Sequence, residues 1–210
     1  MARYEDLLTE TRSDLSSAPD ASVVEALRRS AIRLLKESGV WRQSIDPIPL
    51  VPGQFVYDLL SPEDGSRVDR VLRCDRSDRP ELGLGQALEF EFGLDRNRDI
   101  DFFALRPASE EIVIFGTPSE LHAGVNLSLF VVLVPTRAGR TLPDSLVEEW
   151  HDGIVAGAKA EMMAVLNKPW TNIEGAAINA DTFNAELGRA RREAETGGHA
   201  VLRVRPQKWL

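Results

Sequence analysis

The 210-residue chain contains one cysteine, Cys74, and three histidines. A single cysteine excludes an internal disulfide framework and any zinc site built from several cysteines. His122, His151 and His199 lie in three separate regions, and no two of them have the i, i+4 spacing of a helical zinc site. The sequence therefore predicts neither a metal site nor a cofactor.

Long apolar runs are missing as well. The longest near-continuous run, 127–134, is interrupted by Ser128 and is far shorter than the roughly 20 residues of a membrane span. The first ten residues are too acidic and polar for a signal peptide. We therefore expect a protein that is made in a reducing cytoplasm, without a secretory route and without membrane contact.

The charge balance is acidic, with 25 Lys and Arg against 33 Asp and Glu, a formal net charge of -8. This balance disfavours a protein that wraps nucleic acid by neutralising phosphates. Hydrophobic residues make up 43% and charged residues 28%, which is typical of a globular protein. A chain of this length buries roughly 70% of its unfolded surface and needs no disulfide or metal to fold.

Apolar periodicity predicts a first helix over about 22–38. Ser22 and Glu25 have the spacing of a capping box, and Gly39 stands where a left-handed C-cap residue belongs. Residues 1–21 form a mostly polar N-terminal arm before it.

Two further helices are predicted near the C-terminus. The second starts at Leu142-Pro143, follows an apolar stripe to Leu166 and ends before Pro169. The third covers about 173–195, with Asn172 as N-cap. Four residues are predicted to serve helix or subunit packing: Trp150, Gly153, Gly157 and Phe183. The two glycines stand four apart, so we expect another helix or a neighbouring subunit to come close there.

Between residues 40 and 141 the sequence changes to short β-rich runs separated by turns. Seven of the twelve prolines lie between Pro47 and Pro118, which is unsuited to helices. The predicted strands are 54–59, 67–74, 87–92, 100–105, 111–115 and 125–134. The fold class is therefore α+β: a three-helix bundle, 22–39 plus 142–196, with an inserted antiparallel β-sandwich or barrel over 40–141.

After Gly197-Gly198 the chain ends in an extended, basic and partly apolar tail, 197–210. It contains His199, Ala200, Val201, Leu202, Arg203, Val204, Arg205, Pro206, Gln207, Lys208, Trp209 and Leu210. Such a segment suits docking onto a partner's groove or sheet edge, and the alternative is a frayed terminus.

Residues with catalytic potential are few. Cys74 ends a predicted strand and is expected to be a small buried residue. His151 and Asp152 are adjacent on a helix, so their side chains should diverge on a solvated face. Gly83-Leu84-Gly85 is expected to be a loop, since a strand rather than a helix follows it. We predict that the protein is not an enzyme.

Several segments, taken in order, resemble a known family. They are Glu25-Ala26-Leu27-Arg28-Arg29-Ser30-Ala31-Ile32-Arg33, Ser38-Gly39-Val40-Trp41-Arg42, Asp46-Pro47-Ile48-Pro49-Leu50-Val51-Pro52-Gly53-Gln54, Tyr57-Asp58-Leu59, Leu142-Pro143-Asp144, Asn167-Lys168-Pro169-Trp170-Thr171-Asn172, Phe183-Asn184-Ala185-Glu186 and Ala190-Arg191. Over residues 22–198 the chain resembles head–tail adaptor, or connector, proteins of tailed bacteriophages, of the tail-tubular-A type.

The resemblance implies a structural virion protein of the neck, assembled in the host cytoplasm and without catalysis. It implies a homo-oligomeric ring, usually of twelve subunits, between the portal and a downstream stopper or a tail tube or nozzle protein. Double-stranded DNA would pass through the ring during genome ejection without specific binding. By position, residues 199–210 would reach the portal.

The charge pattern agrees with these expectations. An acidic channel wall would repel phosphates and let DNA slide, and a basic tail would suit an acidic portal surface. Two alternatives stay open. One is a stopper or tail-completion protein of the same neck, and the other is a small β-domain hydrolase or ligand-binding module that uses the region of Cys74 or His122.

Overall fold

The computed structural model describes residues 1–78, 82–84, 100, 102–106, 110–116 and 118–196. Its α-helices are α1 (Leu8–Thr11), α2 (Asp20–Ser38), α3 (Asp144–Met163) and α4 (Ile173–Thr196). Its strands are β1 (Ala2–Arg3), β2 (Arg42–Pro49), β3 (Val56–Asp58), β4 (Ser66–Arg76), β5 (Gly83–Leu84), β6 (Phe102–Arg106), β7 (Glu111–Phe115), β8 (Asn126–Pro135) and β9 (Thr141–Leu142). Short 3-10 helices cover Tyr4–Leu7 and Glu120–His122.

The first predicted helix is α2, whose predicted C-terminal end is confirmed and whose predicted start is wrong. Gly39 is the C-cap in the left-handed conformation (φ 64°), which confirms that prediction. The predicted start at Ser22 is wrong, because Asp20 is the first helical residue and Pro19 is the N-cap. Glu25 is therefore already inside the helix, where it forms ion pairs with Arg28 and Arg29 rather than capping.

The other two predicted helices are α3 and α4. Pro143 is the N-cap of α3 rather than its first helical residue, and the helix ends at Met163, three residues before the predicted Leu166. The predicted N-cap of α4 is confirmed, since the Gly175 N–H donates to Asn172 Oδ1 at 2.9 Å. Thus α2, α3 and α4 pack together, although the β region separates α2 from α3 in the chain.

The β region forms two small sheets, in the orders β2-β8-β4 and β3-β7-β6-β5. All neighbouring strands in them are antiparallel except β5 and β6. The predicted strand 87–92 lies outside the described residues. β2 was missed because it contains Pro47 and Pro49, but an edge strand tolerates proline, and a bulge between Ile45 and Ile48 accommodates it.

The N-terminal segment is packed onto the helices, although the sequence reads as a polar arm. Its buried side chains are Tyr4, Leu7, Thr11, Leu15 and Ala18. β1 pairs with β9 in an antiparallel two-stranded sheet directly before α3. These five positions follow a 3-4-4-3 spacing, so a helical pattern was present, but only Tyr4, Leu7 and Leu15 among them are large and apolar.

The described chain is thus an α+β fold with one contiguous core cluster, to which the N-terminal segment, the helices and both sheets of the β region contribute. Among the described residues, no helix combines the length and the apolar character that crossing a membrane requires.

Candidate functional site

The three long helices meet at Gly157. A Cβ on this glycine would overlap the Ser30 hydroxyl of α2 and would lie 2.6 Å from Phe183 Cδ2 of α4. Phe183 is buried, and Ser30 is buried as well. The absence of a side chain at 157 therefore lets α2 and α4 come together against α3.

Gly153 repeats this arrangement one turn earlier in α3. A Cβ there would approach Leu34 Cδ1 of α2 to 2.7 Å and Glu186 Cβ of α4 to 3.0 Å. The close neighbours of both glycines are helices of the same chain. The spacing of four thus serves the fold of one chain, and these two glycines are not free to receive a neighbouring subunit.

Trp150, the third predicted packing residue, lies at a kink. Its backbone is not helical (φ -114°, ψ 16°), and its side chain is only 1% exposed. The Arg189 guanidinium lies 4.3 Å from the centre of the indole ring and pairs with Glu149 at 2.7 Å and Glu186 at 2.9 Å. A cation over an aromatic ring is attractive, so Arg189 ties α4 to the kink of α3.

A groove of about 460 Å³ lies over the Gly157 junction. Its floor is formed by Phe183 and Ser30, whose hydroxyl makes no hydrogen bond within the described part of the protein. Arginines border it: Arg33 lies 5.0 Å above the Phe183 ring, and Arg29 pairs with Glu161 at 2.6 Å.

Polar contacts that sequence reasoning missed fix the N-terminal segment to α3. Lys159 is 9% exposed and donates to Asp14 at 2.7 Å, which lowers the pKa of that carboxyl below its usual value. The N-terminal amino group pairs with Asp144 at 2.6 Å. The one feature of the sequence that could have indicated these contacts was Lys159, a lysine inside an otherwise apolar and glycine-containing stretch of α3.

His151 has acidic neighbours on both sides. Its Nε2 lies 3.2 Å from Glu10 Oε2, and its Nδ1 lies 3.3 Å from Asp152 Oδ1. The expectation that His151 and Asp152 diverge is therefore wrong. Glu10 and Asp152 are exposed, His151 is half-buried, and each of its nitrogens faces a different carboxylate, so the arrangement holds α1 against α3.

The residues considered for catalysis are held in structural contacts. Cys74 is fully buried, and burial, aided by the charge of Asp75, raises the pKa of its thiol to about 12. Such a thiol stays protonated at neutral pH and is a poor nucleophile. The Ser119 N–H donates to His122 Nδ1 at 3.1 Å within one tight turn. Gly83 and Leu84 form β5 beside β6 instead of a loop.

The predicted portal-binding residues, 199–210, lie outside the described residues; α4 is described up to Thr196. The described chain contains a helix junction at Gly153 and Gly157, a groove bordered by arginines over it, and an N-terminal segment that is fixed to α3. In comparisons with known proteins, neither a family model nor a curated protein matched the chain.

Proposed function

We propose that this protein is a structural subunit of a tailed-bacteriophage neck. In this role it forms a ring that joins the portal to the next tail component and lines the DNA exit channel. The observation that carries the proposal is the packing of α2 against α3 and α4 across the intervening β region. The ordered family resemblance implies this same arrangement of a helical bundle that carries a β domain.

The proposal also assigns a role in the ring to each part of the chain. The sheets β2-β8-β4 and β3-β7-β6-β5 form an inserted sandwich, the bundle forms the ring, and residues 199–210 grip the portal. A rigid bundle suits a ring subunit, because each copy must present two different faces in a fixed relation. The close helix contacts at Gly153 and Gly157 supply such rigidity.

The state of Cys74 favours this proposal over the hydrolase alternative. That alternative needs an exposed thiol within hydrogen-bond reach of a histidine or carboxylate. Cys74 is instead 0% exposed, with a pKa raised to about 12. Its place in the core is that of a small apolar residue.

Electron microscopy of the purified protein mixed with its portal tests the proposal. We expect rings of the protein stacked on the portal. A protein that stays monomeric and unattached, with intact portals present, would overturn it.

Removal of the tail distinguishes the adaptor from the stopper or tail-completion alternative. A chain that ends at residue 198 should keep its melting temperature but lose portal attachment. A matched control keeps the full length and replaces Arg203, Arg205 and Lys208 by alanine, which tests the charge alone. If attachment survives both changes, the tail does not bind the portal, and the stopper position becomes the better account.

A further inference from the structure

A basic hollow of about 430 Å³ lies beside α2, on a protein that is acidic overall. Its cationic side chains are Arg29, Arg33 and Lys36, spaced i, i+4, i+7 along α2, and Arg137 from the loop after β8. The Arg28 Nε–H bonds to the Gly139 carbonyl at 3.0 Å and holds that loop against α2. Partly buried Ile32 gives the hollow an apolar floor.

The acidic residues at the hollow do not neutralise it: Glu25 and Glu37 are each shared between two arginines, and Glu161 of α3 pairs with Arg29. Glu25 pairs with Arg28 at 2.5 Å and with Arg29 at 3.6 Å. Glu37 pairs with both Arg33 and Arg191 at 3.0 Å. Lys36 and Arg137 are exposed and form no ion pair with any described residue. The hollow therefore presents a net positive charge.

A complementary surface lies on the N-terminal half of α3. Asp144, Glu148 and Asp152 are all exposed, Asp152 with 82% of its side chain. Asp144, which pairs with the N-terminal amino group, and Glu148 precede the kink at Trp150, and Asp152 follows it. Favourable placement near the positive end of a helix accounts for Asp144, but not for Asp152 two turns further on. Glu148 makes no ion pair within the described part of the chain. We call these three residues the acidic stripe.

The two surfaces face different sides of the bundle. Arg29 of the hollow pairs with Glu161 of α3 at 2.6 Å, and Asp152 lies about 180° around the helix from Glu161 at about 100° per residue. One copy therefore cannot bring its own acidic stripe to its own basic hollow. Two different but complementary surfaces on one chain produce a head-to-tail contact, which closes into a ring or continues as an open filament.

We propose that the basic hollow binds the acidic stripe of a second copy of this chain. Glu148 and Asp152 of one copy enter the hollow beside Lys36 and Arg137 of the next. This contact is the one that would join neighbouring subunits in the proposed ring. It rests on the proposed function for the closure of the ring. The charges steer the encounter and select the partner surface, so the contact weakens as salt screens it.

Paired charge reversals test the contact by sedimentation velocity of the full chain at about 50 mM and about 500 mM salt, between which the screening length shortens severalfold. One variant carries Lys36→Glu and Arg137→Glu, and the other carries Glu148→Lys and Asp152→Lys. Among the described residues, Asp152 is the only one of the four that forms an ion pair, with His151, so both variants should fold. Wild-type protein should self-associate at low salt, and each variant alone should associate at least tenfold more weakly.

An equimolar mixture of the two variants should restore association. One contact in the mixture is then the wild-type pair, and the other is the same pair with both signs reversed. A control pair, Lys168→Glu and Glu195→Lys, reverses exposed charges outside both surfaces and should behave as wild type. Circular dichroism checks that all variants fold.

Three outcomes would overturn the contact: wild-type protein that is monomeric at low salt, variants that associate as wild type does, or a mixture no stronger than its components. If only the Lys36/Arg137 variant changes, the hollow serves another anionic partner and the self-contact is wrong. Rings on the portal that survive both reversals would refute the contact and leave the proposed function standing.

Discussion

Gly157 of α3 and Ser30 of α2 lie so close that a single methyl group at 157 would overlap the Ser30 hydroxyl. Phe183 of α4 closes the same space from the other side, at 2.6 Å from that methyl position. The consecutive helices α3 and α4 and the distant helix α2 thus meet at one residue without a side chain. The relationship fixes the distance between the helices, and it makes the bundle sensitive to substitution at this position.

Gly157→Ala should therefore destabilise the protein, although alanine is the better helix former. Overpacking typically costs about 1–3 kcal/mol, which lowers the melting temperature by about 2–4 °C per kcal/mol in a chain of this size. Gly188→Ala in α4 is the matched control, since its Cβ would meet only the flexible Arg192 side chain at 3.5 Å. The control should be neutral or stabilising by about 0.5–1 kcal/mol. Equal melting temperatures for the two variants would contradict the prediction.

Ser30→Ala should leave stability unchanged or raise it by up to about 1 kcal/mol, because it removes a buried hydroxyl that has no hydrogen-bond partner among the described residues. It should also relieve part of the Gly157→Ala defect, since it removes the atom nearest to the added methyl group and leaves the contact with Phe183. Urea unfolding of the two single variants and the double variant measures this coupling. Purely additive effects would show that the two sites do not share the strain.

The contact between Lys159 and Asp14 should make stability depend on pH in the acid range. The folded-state pKa of Asp14 is lowered, chiefly by the hydrogen bond from Lys159, so the contact stabilises above the unfolded pKa of 3.8. That contribution is lost as the pH falls through the lowered folded pKa. Asp14→Asn should therefore be less stable than wild type at pH 6, and the difference should shrink below about pH 4. A difference that stays constant down to pH 2.5 in urea titrations would contradict the assignment.

Cys74 should resist thiol reagents in the folded protein and react at once in denaturant. Its folded pKa is raised from 9.0 to about 12, so the neutral thiol contributes stability that is complete below pH 9. This contribution falls as the pH rises from 9 toward 12, because the unfolded chain ionises first. Cys74→Ala should reduce the alkaline dependence and leave the part due to Tyr4, whose pKa burial raises to about 12. Rapid labelling of the native protein at neutral pH would revive the hydrolase alternative.

Arg189→Met should loosen the contact between α4 and the kink at Trp150, because it removes the cation above the indole and the pairs with Glu149 and Glu186. We expect a change in tryptophan fluorescence and a loss of about 1–2 kcal/mol. Arg192→Met is the control, since Arg192 is exposed on the same helix and has no such contact in the described chain. Unchanged fluorescence in Arg189→Met would show that Trp150 is held by packing alone.

Periodicity and turn chemistry in the sequence identified α2, α3 and α4, the C-cap at Gly39 and the N-cap at Asn172. They also located β4, β7 and β8, because these strands are short-range patterns of apolar residues bounded by turns. The strand β2 escaped, because a proline is acceptable only if the strand lies at an edge, and the edge is a property of the whole sheet. The start of α2 was misplaced, because Ser22 has a capping side chain but the backbone already turns at Pro19.

The contacts between distant segments were beyond sequence reasoning. The spacing of Gly153 and Gly157 indicated a close approach, but only the tertiary structure decided that the approaching helices are α2 and α4 of the same chain. Likewise, no local pattern showed that Lys159 meets Asp14, or that Arg189 covers Trp150. The sequence by itself determined the three long helices and the strands β4, β7 and β8, since neighbours along the chain decide these. The fold decided which of their faces are covered, because residues far apart in the chain compete for the same surface.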